Sequence, residues 1–405
     1  MVQAGYAVTT SRQDADVIVV TTCAFLGSAV KESEDAIRSA LAARRPGQRV
    51  VVCGCLVQRF GNRLRDRLPG VDLLVTLDRM PQLPSLLGTS DISHPASDIS
   101  HPPRLVSTPR HYAYLKIAEG CDNRCSYCLI PSIRGPRRSR PLAEVVAEAR
   151  ALARQGVKEL ILIAQDTTAY GMDIYSRPAL PRLLRALAAI RGIRWLRLMY
   201  THPAHVTSAL LREFESNPKL CHYIDLPVQH ASSRLLALMR RHYDRKDLER
   251  LIARLRRVPD MHIRTTLIVG FPGETEQEFE ELLEFVRTTR FDRLGAYAYS
   301  PEPGTRAARM SAQVLETAKL ERLSRLMRLQ ARISREKLSA LVGRNVLVLA
   351  DTERTGRTQW DAPEIDGKVK FARPVRPGTF VRCRVVLTGT HDITALPTQG
   401  QSDKG

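Results

Sequence analysis

No apolar run in this sequence approaches the roughly 20 residues that a membrane-spanning helix needs, so nothing in it reads as a bilayer span. The opening "MVQAGYAVTTSRQDADVIVV" lacks the charged segment, apolar core and cleavage site of a secretory leader and reads as the tail of a helix, a turn and a strand. Both absences point to a cytoplasmic chain. Aromatic residues are scarce at 5 %, yet a hydrophobic share of 43 % over 405 residues is ample for two or three buried cores. Acidic residues are the minority charge: 42 Asp and Glu face 62 Lys and Arg, for a net charge of +20. Such a surplus fits a polyanionic partner, RNA or a ribosomal surface; an arginine-rich proteome would also produce it. The eight cysteines are unevenly clustered. In so long a chain they make a poor disulfide framework and a better metal inventory, which requires a reducing compartment.

What is present falls into an α/β organisation. Residues 1–88 alternate short apolar runs ("DVIVVTT", "RVVVCGCLV", "VDLLVTL") with a helical stretch, the rhythm of a flavodoxin-like parallel sheet domain. Residues 89–110 break the rhythm: the hexamer SDISHP occurs twice and reads as a linker with solvated histidines. From 111 to 341, six strand signals ("YAYLKIAEG", "ELILIAQD", "WLRLMYT", "YIDLPVQ", "IRTTLIVGF", "RLGAYAYS") alternate with helical periods, predicting an open or partial (β/α) barrel whose site lies at the C-terminal strand ends. A long basic helix closes this segment, with Gly343 as its expected C-cap and its arginines as a solvated face. Residues 342–397 carry short alternating strands and Gly or Asp turns, a small β-barrel, and 398–405 read as a disordered tail.

The chemistry concentrates in "EGCDNRCSYCLIPSIRGPRRSR", which places Cys121, Cys125 and Cys128 within eight residues on a loop after the first barrel strand. Zinc wants four tetrahedral ligands, and no further Cys pair or His lies near in sequence. Thiolates are the usual ligands of a four-iron cube, and three of them leave one iron open. The C-x3-C-x2-C spacing resembles that of the radical S-adenosylmethionine superfamily. The resemblance implies a [4Fe-4S] cluster whose fourth iron is chelated by S-adenosyl-L-methionine, and a 5'-deoxyadenosyl radical once an electron donor reduces the cluster. It also implies cofactor contacts at the strand ends: Gln165 and Asp166 in "LILIAQDTTAYG", Gln229 and His230 in "DLPVQHAS", and Gly270 and Gly273 in "TLIVGFPGET", where missing side chains would let a nucleoside approach.

Within the superfamily, the order of an α/β domain with cysteines, the C-x3-C-x2-C barrel and a TRAM-like β-barrel resembles the methylthiotransferases, which insert sulfur and a methyl group into an unactivated C–H bond. A saturated carbon gives acid–base catalysis nothing to work on, so radical chemistry is the physical route. The family implies a second [4Fe-4S] cluster on three N-terminal cysteines. Cys23 and Cys55 match two of them, with Thr21 standing where the family pattern has Asn. The third, from a Leu-Gly-Cys-Pro-Lys-Asn stretch, has no counterpart here, which leaves a misplaced start codon or a two-thiol site as readings. Cys53, Cys221 and Cys383 read as core residues. "GRTQWDAPEIDGKV", "DLPVQHAS" and "FDRLGAYAYSPEPGT" resemble the branch that modifies an aspartate of small-subunit ribosomal protein twelve, against a branch that modifies tRNA adenosine. The run from Arg134 to Arg140 would draw an acidic substrate loop or nearby RNA, unless it is a solvated charge run. A non-catalytic RNA-binding homologue is the alternative outside enzymology.

Overall fold

The computed structural model describes residues 1, 5–88 and 106–398. The linker expected at 89–110 lies outside them up to residue 105, and the tail expected at 398–405 from 399 onward. Packing divides the described residues into two units, and the division does not follow the sequence: residues 120–136 and 300–308 belong with the N-terminal segment, while 106–119, 137–299 and 309–398 form the second unit.

The first unit is built on a parallel three-stranded sheet in the order β1 (Val17–Thr22), β2 (Arg49–Gly54), β3 (Leu73–Val75). The central strand is buried along nearly its whole length, as its β-branched run "RVVVCG" suits. Helix α1 (Gly27–Ala42) buries Val30, Ile37 and Ala40, and short helices α2 (Cys55–Phe60), α3 (Arg63–Arg67) and α4 (Leu83–Leu86) follow. The loop at 120–136 ends in α5 (Ile130–Arg134). Leu129 and Ile133 enter the same core as Ala24, Val52, Cys55, Leu56 and Leu64. Burying each such aliphatic side chain is worth about 1.5–3 kcal/mol, which explains why the loop packs here rather than with the strands it interrupts.

The second unit starts with β4 (Tyr112–Lys116). A two-residue antiparallel pair, β5 (Ala118–Glu119) with β6 (Arg138–Ser139), spans the ends of that loop. Then come α6 (Leu142–Arg154), β7 (Glu159–Ile163), α7 (Met172–Tyr175), α8 (Leu180–Ala188), β8 (Trp195–Leu198), α9 (Ser208–Ser216), β9 (Leu220–Asp225), α10 (Ser233–Leu238), α11 (Arg245–Leu255), β10 (His262–Val269), α12 (Glu276–Thr289), β11 (Arg293–Ala298) and α13 (Glu316–Ser339). All six expected strands pair in parallel and in chain order, β4-β7-β8-β9-β10-β11, as an open sheet. Period-two alternation splits each strand: Leu160, Leu162, Leu196 and Ile263 pack under the helices, whereas Tyr112, Ile161, Trp195, Cys221 and Tyr223 form the core of the other face.

That other face is capped at its N-terminal end by the small barrel of β12 (Asn345–Ala350), β13 (Thr355–Thr358), β14 (Val369–Phe371), β15 (Phe380–Thr388) and β16 (Ile393–Pro397), closed in the order β12-β13-β14-β16-β15. Leu349, Ala362 and Phe380 of the barrel complete the apolar core. At its centre Glu159, fully buried, accepts from Arg197 Nε at 2.7 Å and from Arg357 Nη1 at 2.8 Å. The stretch "DAPEIDG" belongs to the same junction, where Asp361 pairs with Arg293 and Asp366 lies 3.5 Å from Arg264.

Two expectations about α13 are corrected. Gly343 does not cap it: the helix ends at Ser339 with Ala340 as C-cap, and Gly343 donates to Val385 O. Nor are all its arginines solvated, because Arg322 is buried against Glu274 and Glu276. Cys221 and Cys383 are buried, and burial pushes each thiol up to about 12. Among the described residues no helix is long and apolar enough to cross a membrane.

Candidate functional site

In the first unit, β1 and β2 run in register with Thr22 opposite Gly54, so Cys23 and Cys55 leave neighbouring strand ends. Gly54 makes this possible: at φ 106° a Cβ there would stand 2.7 Å from Thr22 O. The Thr22 hydroxyl donates to Cys53 O at 2.7 Å and accepts from Leu56 N at 3.2 Å, stapling the strand end to α2. Ser33 brackets Cys23, accepting from its N–H and donating to its C=O. Cys23 is exposed. Cys55 is 6 % exposed, and its Sγ accepts from Arg134 Nη2 at 3.3 Å. Cys53 points elsewhere, into the core with Val51 and Val75, and burial raises its pKa.

The loop carrying the other three thiols closes tightly at its neck. Cys121 N donates to Gly135 O at 3.1 Å, and a Cβ on Gly120 would lie 2.1 Å from Pro136 O. Cys121 is buried, Cys125 and Cys128 half-buried, and none of the eight cysteines is in a disulfide. Among the described residues no three of His, Cys, Asp and Glu are gathered as a bound metal ion requires. The fit to a cluster therefore rests on the donor set: three thiols on one short loop, each able to take a different iron of a cube. For a second cluster the donor set is two thiols, Cys23 and Cys55.

In the second unit, the expected contact residues stand at the C-terminal strand ends, but most are engaged internally. Gln165 Nε2 donates to Glu119 Oε1 at 3.3 Å. Asp166 is buried, accepts from the Thr168 hydroxyl at 2.6 Å, and meets His205 Nδ1 at 2.7 Å. Burial opposes its charge, yet the hydrogen bond and charge of His205 prevail and hold its pKa below the usual carboxylate range. Stacked on His205 at 4.7 Å is His202, enclosed and with neither ring nitrogen hydrogen-bonded; burial and then Arg241 press its pKa down to about 2. Gln229 takes φ 70° and extends the sheet, donating to Thr266 O and accepting from Ile268 N.

His230 and Gly270 differ from expectation. His230 is fully buried, with Nδ1 accepting from Ser232 N at 2.9 Å and Nε2 3.6 Å from Glu274. It shapes the turn and presents no surface to a ligand. A Cβ on Gly270 would lie 2.2 Å from Lys319 Cγ, so the space its missing side chain leaves is filled by α13, not left for a nucleoside. Glu274 ties this turn together, accepting from Gly270 N, Phe271 N and Arg322. Gly273, at φ 82°, has its nearest neighbour 3.7 Å from a Cβ and stays open. Sequence reasoning missed His202 and His205, although "YTHPAH" directly after a strand was a usable signal, and it read Arg134 only as part of a charge run.

The sequence matches the Radical SAM superfamily over residues 115–286, the uncharacterized protein family UPF0004 over 1–76 and the TRAM domain over 342–397. Among curated relatives, the "Ribosomal protein uS12 methylthiotransferase RimO" of Pelotomaculum thermopropionicum is 43 % identical, with 97 % of this chain and 93 % of the relative covered. Its namesake in Citrifermentans bemidjiense is 44 % identical over 96 % of this chain and 91 % of that one, and that of Geobacter sulfurreducens 43 % over the same shares. Among solved structures, the radical S-adenosylmethionine methyltransferase TsrM of Kitasatospora setae shares the fold, with a TM-score of 0.54 at 16 % identity over 71 % of this chain and 63 % of that one.

Proposed function

This chain belongs to the ribosomal protein uS12 methylthiotransferase RimO family, a family of radical S-adenosylmethionine enzymes, and we propose from that premise that it adds a methylthio group to the β-carbon of an aspartate of uS12. What supports the reading is 43 % identity over nearly the full length to a relative of that name, together with a fold that places Cys23, Cys55, Cys121, Cys125 and Cys128 in one compact unit. Cys121, Cys125 and Cys128 would hold the [4Fe-4S] cluster that binds S-adenosyl-L-methionine. When bound and reduced, that pair supplies a 5'-deoxyadenosyl radical able to take hydrogen from a saturated carbon. Cys23 and Cys55 would hold an auxiliary cluster as the source of sulfur, with Arg134 donating to the Cys55 sulfur.

The remaining residues position and exclude. Gln165, Asp166, Gln229 and Gly273 line the strand ends that would receive the cofactor; His230, Gly270 and Glu274 fix the turn beside them. At that rim His205 holds the Asp166 carboxylate ionised, and burial with Arg241 keeps His202 neutral. The arginine run from Arg134 to Arg140 and the net positive charge would favour contact with RNA around the substrate, and a low-potential electron donor of the cytoplasm would reduce the cluster.

The test is anaerobic reconstitution with iron and sulfide, followed by incubation with S-adenosyl-L-methionine, a reductant and either unmodified uS12 or tRNA. Mass spectrometry should find one methylthio group on a uS12 aspartate and none on tRNA adenosine. Modification of tRNA instead, or protein that takes up no iron, would overturn the proposal.

A further inference from the structure

The last strand of the open sheet leaves one edge unused. β11 pairs with β10 in a continuous parallel register from Arg293 to Ala298, and no strand pairs with its other side among the described residues. The inner strands β7 and β8 are buried almost throughout, whereas none of the six residues of β11 is buried. An unpaired edge presents a row of N–H and C=O groups, and proteins blunt such edges with proline, lysine or a bulge. β11, "RLGAYA", carries none of these.

Beside the first half of β11 lies a cavity of about 630 Å³, walled by Leu294 and Gly295 of the strand, Arg328 and Gln330 of α13, and Ile365 and Gly367 of the small barrel. Two polar atoms at this wall are left over. Gln330 is 3 % exposed; its Nε2 donates to Phe291 O at 3.0 Å, but its Oε1 has no partner among the described residues. Arg293, which also lines the cavity, gives Nη2 to Asp361, while its Nε has no acceptor among them. A buried donor and a buried acceptor left unmade are costly, and they match the two groups that a polypeptide backbone offers, C=O and N–H. The carboxylates at the wall are engaged, Asp292 with Arg256 at 2.7 Å and Asp366 at 3.5 Å from Arg264. Arg328 is not: it is exposed, donates to the Ser324 hydroxyl at 2.8 Å, and has no ion pair among the described residues.

We propose that the free edge of β11 and this cavity dock an extended segment of the protein substrate as an added strand, with a carboxylate of that segment meeting Arg328. The occupant follows from the donors and acceptors. An added strand uses backbone groups of both kinds along an edge, whereas phosphates offer acceptors alone and would leave Gln330 Oε1 unmet. From Arg293 to Ala298 the strand rises about 17 Å. A segment seated in the cavity and continuing along β11 therefore reaches the C-terminal strand ends, where the cofactor would be received. The inference rests on the reading of uS12 as substrate and adds how that protein is held.

The test is hydrogen exchange of the wild-type protein with and without unmodified uS12, read by mass spectrometry over residues 293–298, together with equilibrium binding of uS12 to Arg328→Glu and Gln330→Leu. Bound uS12 should slow exchange over 293–298. Arg328→Glu should weaken binding about tenfold, the loss expected for a charge-assisted hydrogen bond, at unchanged Tm, since the fold uses Arg328 only for its bond to exposed Ser324. Gln330→Leu, which removes the spare acceptor, should weaken binding severalfold. Unchanged exchange over 293–298 on uS12 binding, or wild-type affinity in both variants, would overturn the proposal. A ribosomal RNA fragment that protects these residues where uS12 does not would overturn it too. Binding needs no turnover, so the two readings fail separately. Methylthiolation of uS12 without protection at 293–298 sinks this inference alone; uS12 that docks here but is never methylthiolated by reconstituted enzyme sinks the substrate reading and leaves the docking surface.

Discussion

Replacing Glu159 by alanine tests how the small barrel is fastened to the sheet. Glu159 and Arg197 are fully buried and Arg357 nearly so. Burial opposes the Glu159 charge, but Arg357 and Arg197 outweigh it and hold the carboxyl below its ordinary range. Without the carboxylate, Arg197 keeps only carbonyl acceptors, Gln359 O at 2.7 Å and Thr358 O at 3.4 Å, whereas Arg357 retains Asp351. Removing one partner of a buried ion pair costs about 3–5 kcal/mol, and the retained Asp351 places this case toward the lower end. The chain's two tryptophans flank the network: Trp195 lies 5.9 Å from the Arg197 guanidinium, and Trp360 follows Gln359. Urea unfolding followed by tryptophan fluorescence therefore reads this junction directly. Glu159→Gln, which loses charge but keeps an acceptor, should fall between wild type and alanine. The control is Glu249→Ala, which breaks the exposed Arg245–Glu249 pair and should cost below about 0.5 kcal/mol. A Glu159→Ala cost no larger than that control would refute the reasoning.

Gly120→Ala would place a Cβ 2.1 Å from Pro136 O at φ 78°; reconstituted protein should lose iron and 5'-deoxyadenosine formation while keeping its far-UV circular dichroism, and full iron loading would count against the neck's role. Gly270→Ala should destabilise by collision with Lys319 Cγ, and adding Lys319→Ala should recover much of the loss in thermal melts; no recovery would mean that the glycine serves something other than α13. Burial opposes the charge of Glu278, but Arg234, Thr275 N–H and Ser232 prevail and bring its pKa down to about 2 from 4.5. Its folded-state pKa being depressed, its stabilisation is present above pH 4.5 and is lost as pH falls toward about 2. Wild type should thus exceed Glu278→Gln in stability at neutral pH, with the gap closing across that acid range; a constant gap would refute the assignment.

Much of this fold is written locally and was legible. Strands such as "ELILI" and "WLRL" are buried on both faces, so near-continuous apolar runs announce a parallel sheet, and the even spacing of six such runs gives their order. The thiol loop was legible because its three cysteines lie within eight residues. What escaped was set by distant parts of the chain. Arg134 meets a sulfur 79 residues earlier, and His205 a carboxylate 39 residues earlier. Gly270 carries the signature of a close approach, but whether a cofactor or a lysine approaches depends on where α13 crosses, which no spacing rule fixes. His230 fails for the same reason: a polar residue after a strand looks available until the turn around Glu274 encloses it.

The loop at 120–136 departs furthest from its place in the sequence, and its packing bears on the chemistry. Inserted between two strands of the open sheet, it nevertheless contributes Leu129 and Ile133 to the core that holds Cys55, Leu56 and Ala24. A close-packed interior tolerates little displacement, so the distance from Cys55 to Cys128 is fixed by the packing of α2 against α5 and not by any linker. The Arg134–Cys55 hydrogen bond adds a polar tie across the same contact. A reaction that must generate a carbon radical and then deliver sulfur to it gains from such rigidity, since the radical survives only if the sulfur source stands at a set distance. On the proposed function, a core shared by Leu129 and Ile133 of the thiol loop with Cys55 would meet that demand.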